Sequence, residues 1–128
     1  MLKEKHQLRI SPLGHSWILD FDGTLVEHNG YKTGDDKFLP GAKEFLQSIP
    51  KDDFVLIMTA REKEAKEKTV KFLNDNEIRF NEILFEMPMG ERILINDDKP
   101  SGLRCAYAIT PTRNQGLENL NVVVDENL

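Results

Sequence analysis

Two aspartates, Asp20 and Asp22, stand two positions apart at the end of a short apolar run. In an extended segment, residues two apart project from the same face, so the two carboxylates would lie side by side. Neighbouring carboxylates repel each other unless a cation or a shared proton lies between them. Gly23 then permits a tight turn whose N–H groups can face an anion, and Thr24 adds a hydroxyl. These residue types are the ones that nucleophilic chemistry on an anionic substrate requires.

Polar residues also follow two later apolar runs, residues 54–58 and 93–95. After the first run come Thr59, Ala60 and Arg61, and after the second come Asn96, Asp97, Asp98 and Lys99. Ligands bind at the carboxyl ends of strands in open α/β sheets, so we expect these polar groups to converge. Hard oxygen ligands suit Mg²⁺, while the Thr59 hydroxyl and the Lys99 charge would contact phosphoryl oxygens. The pattern predicts phosphoryl transfer through a carboxylate nucleophile, with a metal neutralising charge.

The elements that must hold these residues alternate between strands and helices. Runs that are apolar throughout are typical of strands in a parallel sheet, and they occupy residues 17–21, 54–58, 93–95 and 106–109. Helical spacing of apolar residues covers residues 40–49 and residues 62 to about 75. A short strand is expected at residues 8–10, and residues 117–128 fit either an edge strand or a loose tail. We therefore predict an α/β fold, a mostly parallel sheet with helices on both faces.

Composition restricts the class of protein further. The 128 residues carry a net charge of −5 and fit one domain over residues 1–128. One cysteine, Cys105, excludes an internal disulfide and a multi-cysteine metal site. Residues 1–6 lack the apolar core of a signal peptide. The longest apolar run has five residues, against the ~20 of a membrane helix, so we expect a soluble, cytoplasmic protein with no membrane contact.

Across residues 17–99 the chain resembles the haloacid dehalogenase (HAD) superfamily. The resemblance rests on Asp-Phe-Asp-Gly-Thr after an apolar strand, a strand that ends in Thr59, and a later apolar run that ends in paired acids. The segment 39–42, Leu-Pro-Gly-Ala, ahead of a helix is also typical. The resemblance implies a three-layer Rossmann-like fold and a Mg²⁺-dependent phosphatase that acts on a small-molecule phosphate ester.

The resemblance also implies a role for each motif residue. Asp20 would attack phosphorus to give an aspartyl-phosphate, and Asp22 would protonate the leaving group and then activate water. Asp20, the backbone carbonyl of Asp22 and an acid of residues 96–98 would hold Mg²⁺. Two registers of that acid pair are open, and Asp97 belongs to both. Thr59 would hydrogen-bond the phosphoryl group, and the other expected phosphate or substrate contacts are Gly23, Thr24, Ala60 and Arg61.

Besides the two possible registers of residues 96–98, the sequence departs from the family pattern at the position of an expected lysine. Where family members carry a lysine ahead of the last acidic motif, this chain has Met87. The positive charge that screens phosphate from Asp20 must then come from elsewhere. We expect Lys99 to supply this charge, ahead of Lys63 and Arg92.

The spacing of the motifs excludes a lid domain. Thr24 to Thr59 spans 35 residues and Thr59 to Asp97 spans 38, and predicted elements already fill part of each interval. We predict no cap domain, with residues 27–34 as the one segment able to act as a flap. An uncapped site is open to water, so specificity must come from that loop, from a second subunit in a homo-oligomer or from a large substrate.

The sequence does not decide between several substrate classes, and it leaves one other class of protein as an alternative. Similar lidless members occur alongside polysaccharide enzymes, which implies a sugar phosphate or a polysaccharide precursor. A nucleic-acid end or a phosphoprotein is the alternative, and the acidic charge weighs against nucleic acid. Because Met87 stands where the screening lysine is expected, a weakly active or inactive phosphate-binding or regulatory domain is a further alternative. A phospho-receiver domain is disfavoured, because the strand that would carry its phosphorylated Asp ends in Thr59.

Overall fold

The computed structural model describes residues 6–128, which have mixed α/β content with parallel sheets. The strands are β1 (His6–Ile10), β2 (Ser16–Asp20), β3 (Phe54–Met58), β4 (Glu82–Leu84) and β5 (Leu120–Val124). The helices are α1 (Gly30–Thr33), α2 (Ala42–Ser48) and α3 (Lys66–Asp75), and a 3-10 turn, Lys63–Ala65, leads into α3. Most of the stretch that argues against a signal peptide, residues 1–5, lies outside the described residues. Within the described chain, every helix is too short or too polar to cross a membrane.

Three strands form the sheet that carries the aspartate motif. The order is β2-β3-β4, all parallel, with Asp20 beside Met58 and Met58 beside Leu84. The three carboxyl ends are therefore level, and the chain leaves them at Phe21, Thr59 and Phe85. Strands β1 and β5 form a separate parallel pair. This pair confirms the strand expected at residues 8–10. Of the two alternatives for residues 117–128, it confirms the edge strand and not the loose tail.

Both predicted long helices are confirmed, and both pack on the same apolar cluster. Ala42 and Leu46 of α2 and Leu73 of α3 are at most 5% exposed, and they join Val55 and Ile57 of β3 in one core. The apolar stripes predicted from helical spacing thus face the sheet. Burial of each leucine, valine or isoleucine side chain contributes roughly 1.5–3 kcal/mol, which stabilises the packing of the helices against β3.

The opposite face of the sheet is only partly covered. Ile18 of β2 and Phe54 of β3 point to that face and are 47% and 45% exposed. Asp20 lies on the same face, because it is two residues beyond Ile18 along the strand. Coverage of both faces by helices is therefore not confirmed for the described residues.

Two predicted strands are wrong, and one strand was missed. Residues 93–95 and 106–109 are irregular, and Ile93 and Ile95 are 84% and 91% exposed. Eight residues, 85–92, separate the end of β4 from residue 93, fewer than the dozen or so that a parallel crossover needs. By contrast, α3 provides a full crossover between β3 and β4, so the short run Glu82–Leu84 pairs although its apolar signal is weak.

Candidate functional site

The loop after β2 folds back tightly on itself. The Phe21 carbonyl accepts hydrogen bonds from the N–H groups of Leu25 at 2.9 Å and Val26 at 3.2 Å, and the Gly23 N–H donates to the Val26 carbonyl at 2.7 Å. Gly23 has a φ of +85°, a conformation that residues with a Cβ rarely adopt. The turn carries Asp20 and Asp22 into different environments, although only one residue separates them.

Asp20 presents an accessible carboxylate at the end of β2, with 45% of its side chain exposed. The Thr24 hydroxyl donates to Asp20 Oδ2 at 3.0 Å, and Arg92 Nη2 lies 3.4 Å from Asp20 Oδ1. Partial burial raises the pKa of Asp20 above its ordinary value, and the charge of Asp22 raises it further. The Thr24 hydrogen bond and the Arg92 charge lower this pKa without cancelling the rise. The carboxylate is thus both reachable and held in place.

Arg61 lies at the centre of a buried ionic network, with 1% of its side chain exposed. Its Nε and Nη2 donate to Asp22 Oδ1 at 3.0 and 2.8 Å. Its Nη1 and Nη2 donate to the two oxygens of Asp36 at 3.0 and 2.7 Å, and Nη1 also donates to the Thr69 hydroxyl at 2.9 Å. All five N–H donors of this side chain are therefore directed at protein acceptors.

The environment of Arg61 favours its charged form. Burial alone would lower the pKa of Arg61, but the hydrogen bonds and charges of Asp36 and Asp22 outweigh burial and raise it. The guanidinium carbon also lies 4.7 Å from the ring centre of Phe21 and 3.9 Å from that of Tyr31. Cations over aromatic faces gain further electrostatic stabilisation. Since Tyr31 belongs to α1, the predicted flap is attached to the site through this arginine.

Asp22 is oriented by donors on both of its oxygens. Arg61 binds Oδ1, and the Thr59 hydroxyl donates to Oδ2 at 2.8 Å. Thr59 is fully buried, and its hydroxyl oxygen accepts the Arg61 N–H at 3.1 Å. The side chain of Asp22 is 15% exposed, so it is largely but not completely shielded from solvent.

The predicted site residues fall into two groups. Asp20, Asp22, Gly23, Thr24, Thr59, Ala60 and Arg61 lie together at the ends of β2 and β3. Ala60 is exposed, and no acceptor within residues 6–128 takes its backbone N–H. Asp97 and Lys99 lie instead in the exposed segment 91–100, where the structure shows no contact between either side chain and Asp20.

Three residues of the site were missed or ranked low by the sequence reasoning. Asp36 and Tyr31 carry no distinguishing signal, because they belong to a polar loop in which any acid or aromatic would look alike. Arg92 was ranked below Lys99, yet it is the cation that reaches Asp20. Its Nη1 donates to the carbonyls of Pro88 and Gly90 at 3.1 Å each, and this fixes its direction.

The position at which a lysine was expected does lie beside the site. The Met87 N–H donates to the Thr59 carbonyl at 3.0 Å, and the Glu86 N–H donates to the Arg61 carbonyl at 2.9 Å. Lys63, another candidate for the missing charge, is 3.8 Å from Glu86 on the surface. The segment after β4 therefore runs alongside the segment after β3. Met87 is apolar, so it supplies no positive charge at this position.

The donors that would hold Mg²⁺ are present in part. Asp20 offers an exposed carboxylate, and no described residue donates a hydrogen bond to the backbone carbonyl of Asp22. A carboxylate and a carbonyl suit a hard cation that keeps several waters and bridges to a substrate phosphate. Among residues 6–128 no three His, Cys, Asp or Glu side chains are grouped closely enough to hold a metal ion, and Asp97 does not complete the set.

Comparison of the chain with protein-family models, with curated proteins and with solved structures finds no match. The geometry of the site and the motifs from residue 20 onward are therefore what indicates a function for this chain.

Proposed function

We propose that the chain is a phosphatase of the HAD type that hydrolyses phosphomonoesters through an aspartyl-phosphate on Asp20. One observation carries the proposal: two carboxylates beside each other have different surroundings, Asp20 accessible and Asp22 held by Arg61 and Thr59. Carboxylates placed in contrasting environments are suited to different roles in one reaction. The proposal includes a three-layer Rossmann-like architecture without a lid domain.

Asp20 is suited to the role of nucleophile. Its carboxylate stands at the carboxyl end of β2, where substrates reach α/β sheets, and Thr24 and Arg92 orient it. One carboxylate oxygen forms a bond to phosphorus as the bond from phosphorus to the ester oxygen breaks. A water molecule then attacks the phosphorus, and inorganic phosphate leaves with Asp20 regenerated.

Asp22 is suited to move the proton. In the first step it gives a proton to the departing ester oxygen, and in the second it takes one from the attacking water. Arg61 and Thr59 hold this carboxylate in one orientation, which is the second layer of support that a precise site needs. In this proposal Arg61 and Thr59 position Asp22, and the exposed N–H of Ala60 is left to face the phosphoryl oxygens.

Positive charge must offset the approach of a phosphate to a carboxylate. Arg92 is the described cation nearest Asp20, and we assign it the screening role of the missing lysine. Mg²⁺ held by Asp20 and the Asp22 carbonyl would supply further charge neutralisation when bound. Lys99 and Asp97 would have to move towards the site to take the roles expected from the sequence.

A phosphate-binding or regulatory domain without turnover is the second candidate. It is favoured by one observation: both oxygens of Asp22 already accept hydrogen bonds from protein donors. A carboxylate whose two oxygens both accept hydrogen bonds from the protein can help to orient a bound phosphate without exchanging protons. The two candidates differ in whether phosphate is released from an ester.

Asp20→Asn tests the nucleophile. With para-nitrophenyl phosphate and Mg²⁺, we expect the wild-type chain to release phosphate and Asp20→Asn to release none above background. Asp125→Asn is the matched control, because Asp125 pairs with Arg9 on the surface. Fluoroberyllate should bind at Asp20 as a mimic of the phosphorylated carboxylate, and heavy oxygen from water should enter the released phosphate and not the Asp20 carboxylate, because water attacks phosphorus. Metal-dependent release by Asp20→Asn would exclude this residue as nucleophile.

The stability of Asp20→Asn provides the check on folding. A raised pKa means that the folded state disfavours the ionised carboxylate, so this site costs wild-type stability as pH rises through the folded-state pKa. The variant avoids that cost and should be at least as stable as wild type at neutral pH. Inactive but folded protein is thereby distinguished from protein that fails to fold.

Substrate class is a further part of the proposal. Sugar phosphates and polysaccharide precursors are the first choice, and a phosphorylated nucleic-acid end or phosphoprotein is the alternative. A panel with members of each class, compared by kcat/KM, separates them. A small sugar phosphate that outperforms the macromolecular esters would support the first choice.

A further inference from the structure

A turn late in the chain is fastened to the loop that carries Asp20. The Asn114 N–H donates to the Gly23 carbonyl at 2.8 Å, and the Asn114 side-chain oxygen accepts the His28 N–H at 2.9 Å. Asn114 has a φ of 64°, a conformation that asparagine tolerates better than most residues. The Gln115 N–H closes the turn on the Thr112 carbonyl at 3.1 Å. This turn therefore has a fixed place beside the site.

The residues that follow hold the turn in position. The Leu117 N–H donates to the Pro40 carbonyl at 2.8 Å, and Leu117 is 6% exposed. A Cβ on Gly41 would lie 2.7 Å from the Glu118 nitrogen, so the two backbones are in direct contact. The segment is thus anchored both at the aspartate loop and at the start of α2.

Arg113 lies across Gly23 as a result. A Cβ built on Gly23 would be 3.1 Å from Arg113 Cγ and 3.5 Å from its Nε. Because glycine has no Cβ, the Arg113 side chain can pack closely against the backbone at this position. Arg113 is exposed, and no acceptor within residues 6–128 forms an ion pair or hydrogen bond with its guanidinium. A cation is therefore placed at the site with its donors unused.

This distinguishes Arg113 from the two other arginines that reach the loop. All five donors of Arg61 are directed at protein acceptors, and Arg92 is directed at Asp20. Arg113 contacts the loop at Gly23 rather than at Asp20, so an anion bound there would be offset from the phosphorus under attack. The planar guanidinium matches carboxylate and phosphate groups, which accept two of its hydrogen bonds at once.

We propose that Arg113 is a substrate-binding residue for a second anionic group, a carboxylate or a phosphate, on the ester hydrolysed at Asp20. The assignment rests on the proposed function and narrows its substrate class. A site without a lid needs other contacts for specificity, and the turn at residues 112–115 provides one.

Two matched pairs of ligands test the assignment by calorimetry. In each pair, one member adds an anionic group: 3-phosphoglycerate against glycerol 3-phosphate for a carboxylate, and glucose 1,6-bisphosphate against glucose 6-phosphate for a phosphate. We expect wild type to bind the more anionic member of at least one pair about tenfold more tightly, the gain from a charge-assisted hydrogen bond at an exposed site. The pair that shows the preference identifies which anion is recognised.

Variants of Arg113 locate the preference. Arg113→Ala should bind both members of the pair with similar affinity, and Arg113→Glu should favour the less anionic one. Arg104→Ala is the control, because Arg104 is exposed in the same segment and lies 5.9 Å from the ring centre of Tyr107. Equal binding of both members by wild type in both pairs, or a preference that survives Arg113→Ala, would overturn the assignment.

Failure of this assignment and failure of the proposed function have different signatures. Calorimetry without added Mg²⁺ measures binding while the proposed metal-dependent turnover is prevented, so the preference is judged whether or not the ester can be hydrolysed. Phosphate release without an anion preference would leave the phosphatase standing and exclude the role of Arg113. An anion preference without phosphate release would retain that role in a binding domain.

Discussion

The side chain of Asp20 lies among neighbours that shift its pKa in opposite directions. Partial burial raises the pKa of this carboxyl, while Thr24 and Arg92 oppose that rise. A nucleophilic carboxylate must be ionised, so the acid limb of kcat/KM should lie at higher pH than an ordinary aspartate would give.

Thr24→Val should move that acid limb to still higher pH. The variant removes the hydroxyl that donates to Asp20 at 3.0 Å and lowers its pKa. The measurement is a profile of kcat/KM against pH for wild type and variant. Thr33→Val is a control, because its hydroxyl donates to the Gly30 carbonyl. An acid limb that stays in place or moves to lower pH would contradict the role of Asp20.

Arg92→Ala should reduce kcat/KM roughly tenfold or more, because loss of a charge aimed at the reacting group typically has at least that effect. Lys99→Ala should change it less than twofold, since Lys99 is exposed and the structure shows no contact from its side chain to Asp20. Lys63→Ala is a second comparison, because Lys63 pairs with Glu86 on the surface. A larger loss for Lys99→Ala would restore the assignment made from sequence.

Arg61→Ala should lower the free energy of unfolding by about 3–5 kcal/mol, because Asp22 and Asp36 would be left close together without their cation. Denaturant unfolding measures the loss. Arg61→Lys should recover only part of it, since lysine cannot supply five donors in one plane. Arg9→Ala, which breaks an exposed pair with Asp125, should cost less than about 1 kcal/mol. A loss of similar size in both alanine variants would contradict the buried network.

Secondary-structure elements were predictable where local pattern and packing agree. The apolar spacing of α2 and α3 places Ala42, Leu46 and Leu73 in the core, and the uninterrupted apolar run of β3 becomes the central strand. Residues 93–95 have a similar run but remain outside the sheets. An apolar run indicates that burial would be favourable, while the length of the preceding connection decides whether the chain can reach a sheet edge.

The exposure of residues 93–95 leads to a test of stability. Ile93→Ser combined with Ile95→Ser should change the free energy of unfolding by less than about 0.5 kcal/mol, because both side chains are more than 80% exposed. Ile57→Ala in β3 should cost about 2–5 kcal/mol, because that side chain is fully buried. Denaturant unfolding compares the two. A cost above about 2 kcal/mol for the double variant would show that residues 93–95 are packed in solution.

For the molecule as a whole, sequence reasoning reached the part of the site that is built at strand ends. Asp20 is the last residue of β2 and Thr59 directly follows β3, so the parallel register brings them to one edge. The contact between Arg61 and Asp36 could not be predicted, because Asp36 lies in a loop whose position depends on packing across the molecule. The place of Arg113 could not be predicted for the same reason, since its approach to Gly23 depends on a turn far along the chain.

The pairing of β1 with β5 has a consequence during synthesis. Parallel register places His6 beside Leu120 and Ile10 beside Val124, so the first described strand gains its partner only after the last one has been made. While the ribosome produces the intervening chain, the backbone donors and acceptors of β1 stay open to water and to other chains. Assembly of this strand pair therefore comes late in synthesis, after residues 120–124 have been made, whereas the sheet that carries Asp20 can form from residues made earlier.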